Sequence, residues 1–351
     1  LTDADLYARP VRSLGAEPAQ SVPPCPVCGC ERARPRFELA GEEFRVVVCE
    51  RCGLGRLHPL PGAEVLRSYY PDSYYGEPGT KFRGVIERLV RLVGSRHIGF
   101  LSRWLHPGAR VLDVGCGRGV ILGALADRGF EVHGVELSAE AARGADPRAK
   151  IRIASRLAEA GFDADSFDEV VIWHVLEHLD DPRETLEEAR RILRPGGRLI
   201  VAVPNFASAQ ARWSDAAWFH LDLPRHLYHF PVSALRELVG SCGFEIESEH
   251  HFSLRQNPFG WIQSALNRSP ALPRNGLYLL LHRRGVAGHA PFDRRTRLRL
   301  WLGFAALAPV ALAASLLEAL LRSGATVHLV ARRPPAEPRA SARISYARHD
   351  S

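Results

Sequence analysis

Between residue 109 and about residue 253 the chain repeats one local pattern, a short apolar run, a turn and a polar-faced helical stretch, and few folds accommodate that repeat. The segments ARVLDVG, FEVHGVEL, KIRIAS, FDEVVIWHV, GRLIVAVP and FEIESEHHFS read as strands. Between the fourth and fifth, DPRETLEEARRILRPGG reads as a helix: Asp181 is placed to cap it, Pro182 suits its first turn, and Pro195-Gly196-Gly197 ends it. Strands alternating with helices predict an α/β fold, a Rossmann-like parallel sheet covered on both faces. Hydrophobic content of 46% supplies the core such a sheet needs. The net charge of +7 is spread out and carried almost wholly by arginine, Lys81 and Lys150 being the lysines, so no basic stripe marks a nucleic-acid surface.

The first strand runs into VLDVGCGRGV, which places Gly115, Gly117 and Gly119 at every second position. A strand, a glycine turn and a helix bring backbone N–H groups and a helix N-terminus beside a ligand. A dinucleotide site spaces its glycines G-x-G-x-x-G around a pyrophosphate, and that spacing is missing here. Asp113 stands inside the strand, badly placed for phosphate and well placed to organise the loop around an ammonium group. Glu136 ends the next strand, where a carboxylate can accept both hydroxyls of a ribose.

With VLDVGCGRG, Glu136, SFDEVVIWHVLEHLDDP and LRPGGRLIVAVPN in this order, residues 109–253, together with the strand at 325–331, resemble the class I S-adenosylmethionine-dependent methyltransferases. The resemblance implies that Gly115, Gly117 and Gly119 approach the adenosyl and methionine portions of the cofactor, with Asp113 beside them. It implies that Glu136 and the adjoining Leu137 hold the ribose, and that His174 borders the cofactor. Many relatives carry an acidic residue after the third strand; this chain has Ala154-Ser155-Arg156-Leu157, so adenine falls to backbone groups and Leu157.

Five of the seven cysteines lie between positions 25 and 52. CPVCG and CERCG form two C-x-x-C knuckles, so Cys25, Cys28, Cys49 and Cys52 read as an S4 structural zinc site with no open position for catalysis. Cys30 reads as a spectator, and Cys116 and Cys242 as small buried residues. The opening LTDADLYARPVRSL is polar and mixed in charge, unlike a signal peptide, and clustered thiols fit a reducing compartment. The expected location is therefore the cytoplasm, with the inner face of the cytoplasmic membrane as a place of contact.

After the fifth strand, WFHLDLPRHLYHF opens at the carboxyl edge of the sheet, where ligands of such folds bind. His226 is the expected general base and His220 its alternate, with Arg225 fixing a polar or anionic substrate group and Asp222 orienting a ring or the arginine. The competing reading is a lid whose polar groups bond one another and shape the pocket. His178 reads as a neighbour of the rim, and Tyr74 and Tyr75 as part of a lid or of the core.

LWLGFAALAPVALAASLL, residues 300–317, is uncharged, follows Arg294, Arg295, Arg297 and Arg299, and contains Pro309. With GLYLLL at 276–281 it predicts a helical apolar insert before the last strand. The insert either meets a membrane surface through 276–321, packs against a partner, or is buried in its own subdomain.

The expected divisions are a loose arm (1–20), a zinc ribbon (21–60), a helical lid or linker (61–108), the catalytic domain (109–254 and 325–333), the insert (255–324) and a disordered tail (334–351). The expected activity is methyl transfer to a small molecule: a sugar, a lipid-linked glycan or a quinone-like hydroxyl. The alternatives are an RNA-modifying methyltransferase, disfavoured because WHVLEH stands where base-amino enzymes carry an NPPY-like motif, and a non-catalytic cofactor-binding scaffold.

Overall fold

The computed structural model describes residues 9–15, 17–69, 97–281 and 292–335. The lid tyrosines Tyr74 and Tyr75, most of the 61–108 linker and nearly all of the tail lie outside them.

The N-terminal region forms an antiparallel sheet from β1 (Val11–Ser13), β2 (Gln20–Ser21), β3 (Arg32–Leu39), β4 (Arg45–Cys49) and β5 (Gly55–His58). The expected loose arm is thus partly ordered: β1 pairs with β3 from Val11↔Leu39 to Ser13↔Phe37, and β2 pairs with the start of β3. After the short α1 (Ala63–Ser68), the larger sheet is built from β6 (Arg110–Val114), β7 (Glu131–Glu136), β8 (Lys150–Ile153), β9 (Phe167–Trp173) and β10 (Leu193–Pro204). The helices α2 (Val120–Ala126) and α3 (Pro182–Ile192) connect them. Beyond β10 come α4 (Ala209–Ser214), β11 (Tyr228–His229), α5 (Val232–Ser241) and β12 (Glu245–His250). The insert then contributes α6 (Asn257–Asn267), α7 (Gly276–Leu281) and α8 (Arg294–Leu320) before the final β13 (Thr326–Arg332).

The seven strands lie in the order β12-β13-β10-β9-β6-β7-β8. β10, β9, β6, β7 and β8 are parallel neighbours, whereas β13 inserts antiparallel between β10 and β12. Strand periodicity sorts the side chains to two faces. Leu112, Val170, Leu199, Val201 and Leu329 enter one core, and Val111, Val171, Ile200 and Val330 the other. The first core runs without a break into Phe37, Val46, Leu54 and Leu57 of the N-terminal sheet. Reversal of strand order on either side of β6 leaves a crevice at the carboxyl ends of β6 and β9, which is where this architecture binds ligands.

The helix reading around Asp181 is met at its start, where the carboxylate accepts the Glu184 N–H at 2.9 Å and Pro182 occupies the first turn; its end differs, because the helix stops at Ile192 and Pro195-Gly196-Gly197 lies inside β10. The segments at 276–281 and 300–317 are both helical, and α8 is longer than the apolar run, continuing from Arg294 through Pro309 to Leu320. It is not a buried core helix, since 17% of its apolar window is covered.

Candidate active site and cysteine centre

The bend after β6 is made of main chain. Gly115, Gly117 and Gly119 all take left-handed conformations, with φ of +70°, +50° and +63°, which side-chain-bearing residues enter at a cost. At Gly115 the position is closed on a second count, because a Cβ there would lie 2.5 Å from Val175 Cγ2. The amides of Gly115 and Cys116 donate to the Val135 carbonyl at 2.8 and 3.2 Å, tying the bend to β7. Gly119 then begins α2.

Glu136 closes this bend. One carboxylate oxygen accepts the Gly117 N–H at 2.8 Å, and the other accepts the Leu137 N–H at 2.8 Å and that of Ser138 at 3.4 Å. Asp113 is buried on the strand beneath, and its carboxyl is pushed up to about 7 by burial and by the neighbouring Glu136 charge. Leu157 is buried after β8, while the Leu137 side chain is half exposed.

His174 directly follows β9 at φ +54°, an unusual conformation for a residue with a side chain. Its Nδ1 lies 3.4 Å from Glu177 Oε1, and its Nε2 is buried without a hydrogen-bond partner. Such an orphaned ring nitrogen beside a glycine bend is what a ligand group would satisfy. These residues therefore fit an adenosyl amino acid: carboxylates for hydroxyl and ammonium groups, main-chain donors, and an open imidazole nitrogen.

The segment 218–230 forms a second wall. Trp218 is fully buried and donates its indole N–H to Gln210 Oε1 at 3.1 Å; the Phe219 N–H donates to Ser264 Oγ at 2.9 Å. Arg225 and Asp222 form a close ion pair, with Arg225 NH2 2.5 Å from Asp222 Oδ1. His226 is buried; its Nδ1–H donates to the His220 carbonyl at 2.9 Å, which leaves the lone pair on Nε2, 3.8 Å from Asp222 Oδ2. Burial, then the adjacent His178, His229 and His220, hold its pKa well below the usual 6.5. Burial holds His220 at about 3 and His229 at about 4. All three imidazoles are thus neutral at ordinary pH, the state a base requires.

The structure separates the two histidines offered for that role. His220 is turned toward the insert: a Cβ on Gly260 of α6 would sit 2.8 Å from its Nε2. His226 instead stacks edge-on to His178, ring centroids 4.6 Å apart, next to the turn that follows His174. His178 Nδ1–H donates to the Arg225 carbonyl at 3.0 Å, and the Leu227 N–H donates to the Glu177 carbonyl at 2.8 Å. The residues 174–178 are therefore the bridge between glycine bend and loop.

Glu177 was not singled out from the sequence. It is buried, its Oε2 has no hydrogen-bond partner, and it brings a ligand atom within 4.8 Å of His178 and His226. Its signal is its place three residues after His174, in HVLEH. Val175, which closes the Gly115 position, lies in the same stretch and gives no sequence signal of its own.

The four predicted thiols converge. Cys25 and Cys52 Sγ are 3.6 Å apart, as are those of Cys28 and Cys49, and all four lie within 4.8 Å of one another. A tetrahedron of sulfurs about 2.3 Å from a central ion has edges of about 3.8 Å, so the cluster is the right size for a metal. Each knuckle turns at a left-handed glycine, Gly29 and Gly53, whose N–H donates to the first cysteine's carbonyl at 2.8 and 3.0 Å. Cys30 stands outside the quartet, its thiol directed to the Arg32 carbonyl, and Cys116 and Cys242 are buried. The centre is docked from two sides. Arg183 of α3 donates to the Pro26 carbonyl at 2.9 and 3.1 Å, and β11, part of the histidine-rich loop, pairs antiparallel with β5 through Tyr228↔Arg56 and His229↔Gly55.

Residues 86–249 match a family model described as a methyltransferase domain. A probable S-adenosylmethionine-dependent methyltransferase of Mycolicibacterium smegmatis is 34% identical over 157 residues, 43% of this chain and 59% of that protein. A ubiquinone biosynthesis O-methyltransferase of Xanthomonas oryzae is 32% identical over 132 residues, 35% of this chain and 55% of that one. The chain thus spans little more than half the length of these relatives. Among solved structures, a complex of a Haloferax volcanii methyltransferase with its Trm112 activator is similar at 20% identity and a TM-score of 0.47, covering 75% of this chain and 98% of that one. The match to a methyltransferase domain thus spans residues 86–249, within which the glycine bend, Glu136, the 174–178 turn and the histidine-rich loop all lie.

Proposed function

We propose that the chain moves a methyl group from S-adenosylmethionine to a hydroxyl of a small molecule, of the sugar, lipid-linked glycan or quinone-like phenol kind. The observation that carries this is the Glu136 carboxylate at the carboxyl end of β7, bonded to the Gly117 amide and so built into the glycine bend. The O-methyltransferase names of several relatives support a hydroxyl acceptor.

The cofactor supplies a methyl carbon already activated on a sulfonium, so the protein must align an acceptor and take its proton. Glu136 and the main chain of 115–119 hold the sugar and tail, Asp113 sets negative charge beneath the bend, and His174 Nε2 offers a polar contact at the edge. His226 accepts the acceptor's proton at Nε2, its tautomer fixed by the bond from Nδ1 to the His220 carbonyl. Asp222, 3.8 Å from that nitrogen, stabilises the imidazolium so formed, and is itself oriented by Arg225. His220 is a packing residue in this scheme. The four cysteines bind zinc, which brings order to the sheet on which β11 rests and takes no part in the chemistry.

The test is calorimetric titration with S-adenosylmethionine, followed by transfer of radiolabelled methyl to cell extracts divided into lipid, sugar and nucleic-acid fractions. Label in the lipid or sugar fraction is expected. Label confined to nucleic acid would transfer the assignment to RNA or DNA modification, and cofactor heat with no label anywhere would leave a binding scaffold.

A further inference from the structure

Outside the active site, α8 carries an unusual amount of exposed apolar surface. Half of the large apolar side chains exposed among the described residues lie between Leu298 and Leu321. The buried positions of α8, Leu300, Ala311, Ser315 and Glu318, fall on one stripe against α6 and α7. The remaining surface carries Leu298, Trp301, Leu302, Val310, Leu316 and Leu317 into solvent. A monomer in water does not leave so large a continuous apolar patch uncovered without a use for it.

Three features say what covers it. First, Arg294, Arg295 and Arg299 are exposed in the opening turns, a positive cluster adjoining the apolar surface. Second, tryptophans stand at both ends: Trp301 is exposed near the start, while exposed Trp213 packs 5.4 Å from Trp261, whose indole N–H donates to Glu318 near the end. Amphipathic rings of this kind settle at headgroup depth. Third, the C-terminal end is fastened to the polar body of the protein, because the buried Glu318 also accepts from Asn257 Nδ2 at 3.3 Å and from the Ala325 N–H at 3.0 Å. At 27 residues the helix is about 40 Å long, enough to cross a bilayer. Yet its covered stripe carries α6, with buried Asn257, Gln263 and Ser264, along with it, and those polar groups belong at the water side.

We infer that α8 lies in the plane of an anionic bilayer, arginines at the lipid phosphates and leucines in the acyl boundary, and so holds the catalytic domain at the surface where an amphiphilic acceptor resides. The docking stands on the helix alone; the amphiphilic acceptor rests on the methyltransferase reading. Charge complementarity points to anionic lipid, whose phosphates would meet the exposed Arg294, Arg295 and Arg299 beside the apolar surface.

Flotation of the full chain with vesicles of phosphatidylglycerol and phosphatidylcholine, against phosphatidylcholine alone, tests this. Binding is expected to the anionic vesicles and to weaken with salt. The Leu302→Glu/Leu317→Glu variant should bind about a hundredfold more weakly, and Arg295→Glu/Arg299→Glu about tenfold more weakly. All four side chains are exposed, so cofactor heat and near-ultraviolet circular dichroism should not change. Equal flotation of variant and parent, or no flotation of the parent, would overturn the inference. So would a dimer in sedimentation that the leucine variant abolishes, which would assign the patch to a second copy. Vesicle binding without cofactor heat would remove the methyltransferase reading and leave the docking intact.

Discussion

The glycine bend and the histidine-rich loop meet at one short turn, Leu176–His178, yet they are made in opposite ways. The bend is main chain: three left-handed glycines, one carboxylate and a few amide bonds, all supplied by residues 113–138 except the packing of Val175. The loop is made of side chains held from afar. β11 is paired to the cysteine-bearing sheet, Phe219 is bonded to Ser264 of the insert, and the carbonyls of Ala216 and Ala217 accept from Arg274 and Asn267. The difference teaches that the glycine bend is a local device, while the histidine-rich loop is assembled from three modules. The loop can therefore change with the modules around it while the bend stays as it is.

The sharpest test of that division is His226→Asn. Removal of the base should lower transfer by about 10²–10⁴-fold, while affinity for S-adenosylmethionine remains within about twofold. Because burial keeps His226 neutral well below its usual 6.5, the parent rate at saturating S-adenosylmethionine should stay level from pH 8 to pH 6. A rate that titrates near 6.5 would place the base elsewhere. A divalent cation retained by the Cys49→Ser variant and lost on adding His226→Asn would reassign His226 to metal ligation with Glu177 and His178, whose ligand atoms already lie within 4.8 Å.

Gly115→Ala should have the converse effect. The added methyl meets Val175 Cγ2 at 2.5 Å and the backbone holds φ +70°, so the bend must deform. Strain and overpacking together cost about 2–4 kcal/mol, and cofactor affinity should fall at least about thirtyfold by calorimetry. The loop should be untouched, with His229 and Tyr228 still paired to β5, seen as unchanged amide exchange at those positions.

What could be read ahead of the structure follows the same line. The bend, the Asp181 cap, the strands and the two cysteine knuckles were legible because each is fixed by residues close in sequence, and backbone conformation or ligand spacing leaves few choices. The loop was legible only as a list of candidates. Nothing in HLDLPRHLYHF says that His220 turns toward Gly260 while His226 turns toward His178; contacts 40 to 50 residues away decide it. Glu177 was passed over for the same reason, since its burial depends on the loop folding over it. β11 was invisible, two residues long and paired across a gap of about 170 residues. The ordered part of the N-terminal arm was likewise hidden, because β1 has no periodicity of its own and borrows its form from β3.

Removal of the cysteine centre probes the join between modules. With Cys49→Ser, or after chelation, β5 loses its support and the pairing to Tyr228 and His229 loosens. Transfer should fall about tenfold while cofactor affinity changes by less than about threefold, and one zinc per chain should be lost by elemental analysis. Equal loss of cofactor binding would show that the bend also depends on the cysteine-bearing sheet, against the local character argued for it.

The smallest effect is expected at Asp113, and it bears on what the bend holds. In the absence of ligand its carboxyl sits at about 7, raised from 3.8 first by burial and then by Glu136. A raised carboxyl contributes stability that is fully present below about pH 4 and is lost as pH rises through about 7. A cationic ligand beside it reverses the preference, because the carboxylate becomes the favoured form. Binding of S-adenosylmethionine should then release a proton below pH 7, and affinity should rise about tenfold between pH 6 and pH 8, levelling above that. Asp113→Asn should flatten this dependence, leaving the ligand's own ammonium titration as the residue. Equal pH dependence in parent and variant would mean that the positive end of the ligand lies away from β6, and that the bend grips the sugar alone.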